Sequence, residues 1–233
     1  MSELVDAAGA VVVVGGTAGI GLELVRHYVA AGREVVLTGR DADRAKAVAE
    51  EVGGRTRGLG FDLSRPAEVA AALTDVGEVG ALVLSAVDRD QNSIATFDIA
   101  AATHLVTLKL VGYAETVRAL RARLRADASV LLFGGQARVR PYPGSTTVST
   151  VNAGVLGLVR TLAVELAPVR VNSIHPGIVG DSPFWQGKAL DEVRSKTLTG
   201  RLATMAQTVD AAVFLLENAA VNDVNLVVDG GWR

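Results

Sequence analysis

The sequence predicts a single α/β domain: a parallel β-sheet doubly wound with helices on both faces. Three observations carry this. Short β-branched runs alternate with longer helical patterns along all 233 residues, and alternation of that kind builds a parallel sheet with right-handed crossovers. The runs are near-continuously apolar, as expected of strands covered on both faces. The first run passes through a glycine-rich turn directly into a helical stretch. A chain of this length suits one large domain and can bury a substantial core.

The elements follow in order. AVVVVG (10–15) is the first strand and 19–31 the first helix. EVVLTG (34–39) and 41–52 form the second pair, and RTRGLGF (55–61), a weaker strand, precedes a helix at 65–76. GALVLSA (80–86) leads to a long helix over about 97–126. Its arginine-rich end, LRARLRADAS, suits the negative end of the helix dipole. SVLLFGG (129–135), a helix over about 147–166, VRVNSIHP (169–176), a helix at 207–217 and VNLVVDGG (224–231) complete the chain.

Composition narrows the function. Hydrophobic residues make up 49%, but no apolar run approaches membrane-span length. The N-terminus, MSELVDAAGAVVVV, has no basic segment ahead of its apolar stretch, so no signal peptide is expected. The absence of cysteine excludes disulfides and thiolate zinc sites and fits a reducing cytoplasm. A formal charge of −2 gives no general attraction to nucleic acid. His27, His104 and His175 are too scattered to suggest a metal site.

Ligands of such sheets bind beyond the carboxyl ends of the strands. There, Gly15, Gly19 and Gly21 stand in a G-x-x-x-G-x-G pattern between strand and helix. Glycine permits positive φ and close backbone approach, and the helix N-terminus offers free N–H groups to a pyrophosphate. The same glycines would also serve a turn that needs only tight packing. At the end of the second strand, where an NAD site places a carboxylate for the ribose diol, stand Gly39 and Arg40, with Arg44 one turn on. An arginine pairs with a 2′-phosphate, so NADP(H) is expected ahead of NAD(H). Asp62, in GFDLSRP, could accept from an adenine amino group or cap the next helix, a task for which Ser64 competes.

Taken together, these residues resemble the short-chain dehydrogenase/reductase family over nearly the whole chain. The family's T-G-x-x-x-G-x-G matches Val14 to Gly21, with only the threonine replaced. VRVNSIHPGIV matches its V-N-x-I-x-P-G segment, and GRLAT (200–204) and VVDGGW its late signatures. The resemblance implies a seven-stranded Rossmann-type sheet and a homodimer or homotetramer. It also implies a nucleotide site formed by Gly15, Thr17, Ala18, Gly19, Ile20, Gly21, Arg40, Asp62, Leu63, Ser85, Ala86 and Asn152. Pro176, Gly177 and Val179 would line the nicotinamide pocket.

The family's chemistry uses Ser, Tyr and Lys, assisted by Asn, with Tyr and Lys four residues apart on one helical face. Anchoring on NAGVLGL puts Asn152 at the lysine position and Val148 at the tyrosine position. Gly135 falls at the serine and Thr107 at the asparagine, and the strand-four N-N-A-G has become Leu84 to Val87. Val87, where the family has glycine, could crowd the cofactor. No lysine lies between Lys109 and Lys188, so this window holds no replacement for the missing charge. YPGSTTVSTVNAG (142–154) carries six hydroxyls, of which Tyr142 is the candidate acid, although an unassisted phenol with a pKa near ~10 donates sluggishly at neutral pH. Ser145 and its neighbours read as a helix N-cap. His175 titrates in a useful range. Asp181 or Ser182 could hold the carboxamide or cap a helix. Arg138 and Arg140 could meet an anionic substrate, and Phe184 and Trp185 occupy the segment that closes over substrate in relatives.

Three functions remain open from the sequence. The chain is a reductase with another proton donor, a cofactor-binding protein without hydride chemistry, or a protein with a non-redox activity such as elimination or isomerisation. Its substrate or ligand is not identified by these residues.

Overall fold

The computed structural model describes residues 8–233; residues 1–7, on which the signal-peptide expectation partly rests, lie outside them. Among the described residues seven strands are present: β1 (Ala10–Val14), β2 (Val35–Gly39), β3 (Thr56–Gly60), β4 (Val79–Leu84), β5 (Leu124–Phe133), β6 (Arg170–Pro176) and β7 (Asn225–Val228). They form one parallel sheet in the order β3-β2-β1-β4-β5-β6-β7. Strand order reverses between β1 and β4, and the crevice at that reversal is where such sheets bind ligands.

Alternation along β1 builds both cores. Val12 and Val14 face one side with Leu82, Leu132, Tyr113, Val117, Val155 and Val159. Val11 and Val13 face the other with Leu24, Tyr28, Leu131, Ile174 and Leu215. Side chains of a strand point to opposite faces in turn, so a strand between two helical layers must be apolar throughout.

The helices are α1 (Gly19–Ala30), α2 (Ala42–Val52), α3 (Pro66–Ala72), α4 (Ile99–Val106), α5 (Gly112–Leu120), α6 (Thr146–Glu165), α7 (Asp191–Ser195) and α8 (Met205–Glu217). The weak strand at 56–60 is genuine. Its glycines reflect packing, since a Cβ on Gly58 would lie 2.1 Å from the Ala45 carbonyl oxygen of α2.

The long helix expected over 97–126 is corrected in two ways. A π-helical turn at Thr107–Val111 separates α4 from α5, and the helical path ends in a short 3₁₀ turn at Arg121–Arg123. From Leu124 onward the residues of the expected arginine-rich helix end instead begin β5, where Leu124 pairs with Val79. Arg123 donates to the Leu73 carbonyl, anchoring a cation that helix-end reasoning assigned to the dipole. The apolar pattern of 105–120 satisfies α and π turns alike, so periodicity did not reveal the insertion. Helix α6 has the length and apolarity of a membrane span, but its Val151, Val155, Val159 and Leu162 are packed in the core.

Candidate active-site cleft

The turn from β1 to α1 is shaped by what its glycines touch. Gly15 has φ +87°, and a Cβ there would lie 2.6 Å from the Ala86 main-chain nitrogen. A Cβ on Gly21 would lie 2.2 Å from the Gly15 carbonyl oxygen. Gly19, at φ +54°, has open space where its Cβ would stand. The N-cap of α1 is Ala18, which provides no side-chain cap. The first N–H groups of α1 are therefore left for a ligand, and a pyrophosphate fits this chemistry. Thr17 lies against Gly39, whose added Cβ would come within 2.8 Å of the Thr17 methyl. Ile20 contributes to the core beneath the turn.

On the adenine side, Arg40 Nη1 lies 3.3 Å from Asp88 Oδ2, which His104 Nε2 approaches at the same distance. Asp62 Oδ1 accepts from the main chain and hydroxyl of Ser64. Burial pushes the Asp62 pKa up, but these two donors, followed by the charges of His104 and Arg40, bring it below the usual carboxylate range. Asp62 therefore does not cap α3, whose N-cap is Arg65 followed by Pro66. Leu63 is buried, so a ligand could meet its main chain but not its side chain. Ser85 donates to the Val14 carbonyl, and Ala86 accepts from the Tyr113 hydroxyl.

Deeper in the cleft, Val148 and Asn152 lie one turn apart at the entrance of α6. Asn152 is buried beside Gly135, whose added Cβ would lie 3.0 Å from its Nδ2. Thr107 opens the π turn. Ser145 is the N-cap residue of α6 but makes no side-chain cap. Its hydroxyl accepts from the Tyr142 main chain and bonds Ser149, which corrects the capping expectation. Tyr142 is half exposed.

His175 is not the acid its free titration range suggested. Its ring is buried, with Nε2 2.9 Å from the Ser173 hydroxyl and Nδ1 unpartnered. Burial, aided by the charges of Arg138 and Lys109, pushes its pKa down to about 4. Asp181 accepts from the Met205 main chain at the start of α8. Pro176 ends β6, Gly177 donates to Val228, and Val179 is buried in a bridge with Ala203. Val87 is 58% exposed and packs into neither core.

Sequence reasoning missed three cations in the cleft. Arg89 stacks 3.6 Å from the Phe184 ring centroid, and Lys188 approaches the same centroid at 3.4 Å. Phe184 in turn meets Trp185 edge-on. Lys109 is 2% exposed, inside the π turn. Its sequence signals were a single cation in a largely apolar run, LVTLKLV, and the match of VTLKL to the family's V-N-L-K-G. The sequence context of Arg138 and Arg140 favours two solvated loop arginines; here Arg138 Nε is buried with no hydrogen-bond partner among the described residues, and Arg140 lies 5.6 Å from the Trp232 ring centroid. No cluster of metal-ligating side chains is present among the described residues.

Known proteins agree with this architecture. The family model described as Enoyl-(Acyl carrier protein) reductase matches residues 15–233. Carbonyl reductase family member 4 of Danio rerio is 30% identical, covering 95% of this chain and 97% of its own. The 3-oxoacyl-[acyl-carrier-protein] reductase of Bos taurus is also 30% identical, over 95% and 96%. The solved 3-hydroxyacyl-CoA dehydrogenase type-2 of Mycobacterium avium superposes with a TM-score of 0.87 at 28% identity, covering 99% and 98%. A strand-order switch with a glycine cradle, matched along nearly the whole length by these proteins, places the chain in the short-chain dehydrogenase/reductase family, oxidoreductases that bind NAD(P)(H).

Proposed function

We propose that this protein is an NADP(H)-dependent oxidoreductase of a small carbonyl or alcohol whose proton transfer does not run through the family's usual helix positions. The observation that carries the cofactor reading is the cradle, in which glycine contacts and an uncapped α1 leave main-chain donors free. Arg40 supports the 2′-phosphate. It stands at the end of β2 with its side chain 68% exposed, and a phosphate would offer it a stronger partner than Asp88. When bound, the dinucleotide supplies or accepts hydride. The chain holds it through the turn, Arg40 and Asp62, while Asn152 could offer the ribose a neutral hydrogen bond.

Val148, Asn152, Gly135 and Thr107 support the second half of the proposal. None of them has an acidic proton or a charge. The same four residues favour a second reading, a cofactor-binding protein without hydride chemistry. Calorimetric titration with NADPH and NADH tests the first half, and binding of neither overturns it. Cofactor oxidation against a panel of carbonyls then separates reductase from silent binder. The lack of cysteine supports a cytoplasmic setting. The homodimer or homotetramer is supported by Val106, Val111 and Val164, apolar side chains left uncovered on α4, the π turn and α6; light scattering that reports a monomer would remove it.

A further inference from the structure

Helix α6 brings no cation to its cleft face, but the neighbouring helix does. The π turn at 107–111 inserts one residue into the helical path and re-aims its side chains, and such insertions are frequent at functional sites. Lys109, at its centre, has no hydrogen-bond or ion-pair partner among the described residues and is 2% exposed.

The surroundings of Lys109 locate it at the carboxyl ends of the central strands. On its own helical path, Nζ lies 5.4 Å from the Tyr113 ring centroid, and the Tyr113 hydroxyl donates to Ala86 beyond β4. Across the cleft its charge acts on His175 at the end of β6. From the loop after β4, Arg89 acts on Lys109. Between these, the end of β5 presents Gly134 against the His175 ring and Gly135 against Asn152. No carboxylate is among the groups that shift it. Burying an unpaired ammonium is costly, and a methionine would fill the space without that cost.

We propose that Lys109 is the acid–base residue of this cleft, releasing a proton from Nζ, directly or through one water, to the oxygen of a carbonyl substrate and recovering it from solvent. The proposal rests on the reductase reading above. One N–H bond breaks and one O–H bond forms, while the electron pair of the new C–H bond comes with the hydride of a reduced nicotinamide dinucleotide. Burial, with the Arg89 charge second, pushes the lysine pKa down to about 7, where acid and base forms coexist and proton transfer is most effective. His175 is neutral and enclosed, so it does not compete for this role.

The test combines titration with kinetics. Lysine labelled with ¹³C at Cε, assigned by the Lys109→Met variant, should show one resonance titrating near 7. Lys109→Met should leave NADPH affinity within about threefold, lower kcat by about 10²- to 10³-fold, and abolish the fall in kcat above pH ~7. Lys109→Arg, which keeps the charge but holds its proton, should be equally slow. Titration with the bulk lysines near ~10 overturns the proposal. So does wild-type turnover that Lys109→Met leaves unchanged, or full rescue by arginine, which would mean charge alone matters. Wild-type protein that binds NADPH but oxidises it with no carbonyl fails the reductase reading itself and removes the proton transfer with it.

Discussion

The turn between β1 and α1 and the entrance of α6 both lie at the carboxyl ends of the strands, but they are built from different materials. The first is made of main chain. Gly15 and Gly21 touch Ala86 and each other so closely that a Cβ has no room, and the ligand would be met by N–H groups that every residue carries. The second is made of side chains, among them Val148 and the buried Asn152 one turn apart on α6. A main-chain site tolerates few substitutions, because its geometry is its chemistry. A side-chain site can lose its usual residues while another element brings a cation to the same space, which is the part proposed above for Lys109 in the π turn.

The comparison is broken most directly at the cradle. Gly15→Val forces a β-branched residue into φ +87° against Ala86, and NADPH affinity should fall more than about 100-fold by calorimetry, on the scale of strain plus overpacking. Retained affinity would mean that the turn is only a packing device.

The next effect belongs to the side-chain half. His175 has a folded pKa of about 4, below the unfolded value near ~6.5. The unfolded chain takes up this proton first as pH falls, so stability is present above ~6.5 and is lost between there and ~4, on the order of 3 kcal/mol. Urea unfolding of wild type and His175→Asn should diverge in slope across that window; parallel curves would count against a neutral, enclosed ring.

Lys109→Met should stabilise the protein at pH 7 by about 1–4 kcal/mol, the range for replacing buried charge with an apolar group. The sign follows from a folded pKa of about 7 below an unfolded value near ~10.4. Between them the unfolded state binds the extra proton, so wild-type stability climbs with pH and the advantage of the variant shrinks towards pH 10. An unchanged melting temperature would place the amine in water.

A smaller change is expected at Arg40. Arg40→Ala should weaken NADPH about tenfold and leave NADH within about twofold, since of the groups on the two cofactors only the 2′-phosphate would lose a charged partner. Equal losses would move Arg40 out of that role. The smallest change is Tyr142→Phe, within about twofold in kcat, because the phenol is half exposed in the loop before α6 and the proton is proposed to come from Lys109. A large loss there would return the proton donor to the loop.

The legible parts were those with a local physical signature. Continuous valines at 10–14 announce a strand buried on both faces, and Gly15 with Gly21 announces a turn that excludes side chains. Helix α6 was legible too, since the sequence expected it over about 147–166 and it runs from Thr146 to Glu165. Boundaries were less legible where two conformations share one pattern. Residues 124–128 extend β5 although Arg125 suits a helix end: Leu124 pairs with Val79 of β4, and 125–128 form an irregularity before Ser129 pairs with Ala81, a long-range register that no local signal records.

The sequence by itself determined the layered α/β architecture, the glycine cradle and the family, since each is encoded by periodicity or by residues whose backbone freedom is required where they stand. The tertiary structure alone decided which side chains share the cleft. Lys109 and Val148 stand 39 positions apart in the chain, and only the packing of α6 on the sheet beside the π turn brings their elements together. The same packing encloses the His175 ring and leaves Lys109 without a hydrogen-bond or ion-pair partner among the described residues. Burial and proximity are properties of the assembled layers, so the charge state of the cleft is written in no single segment.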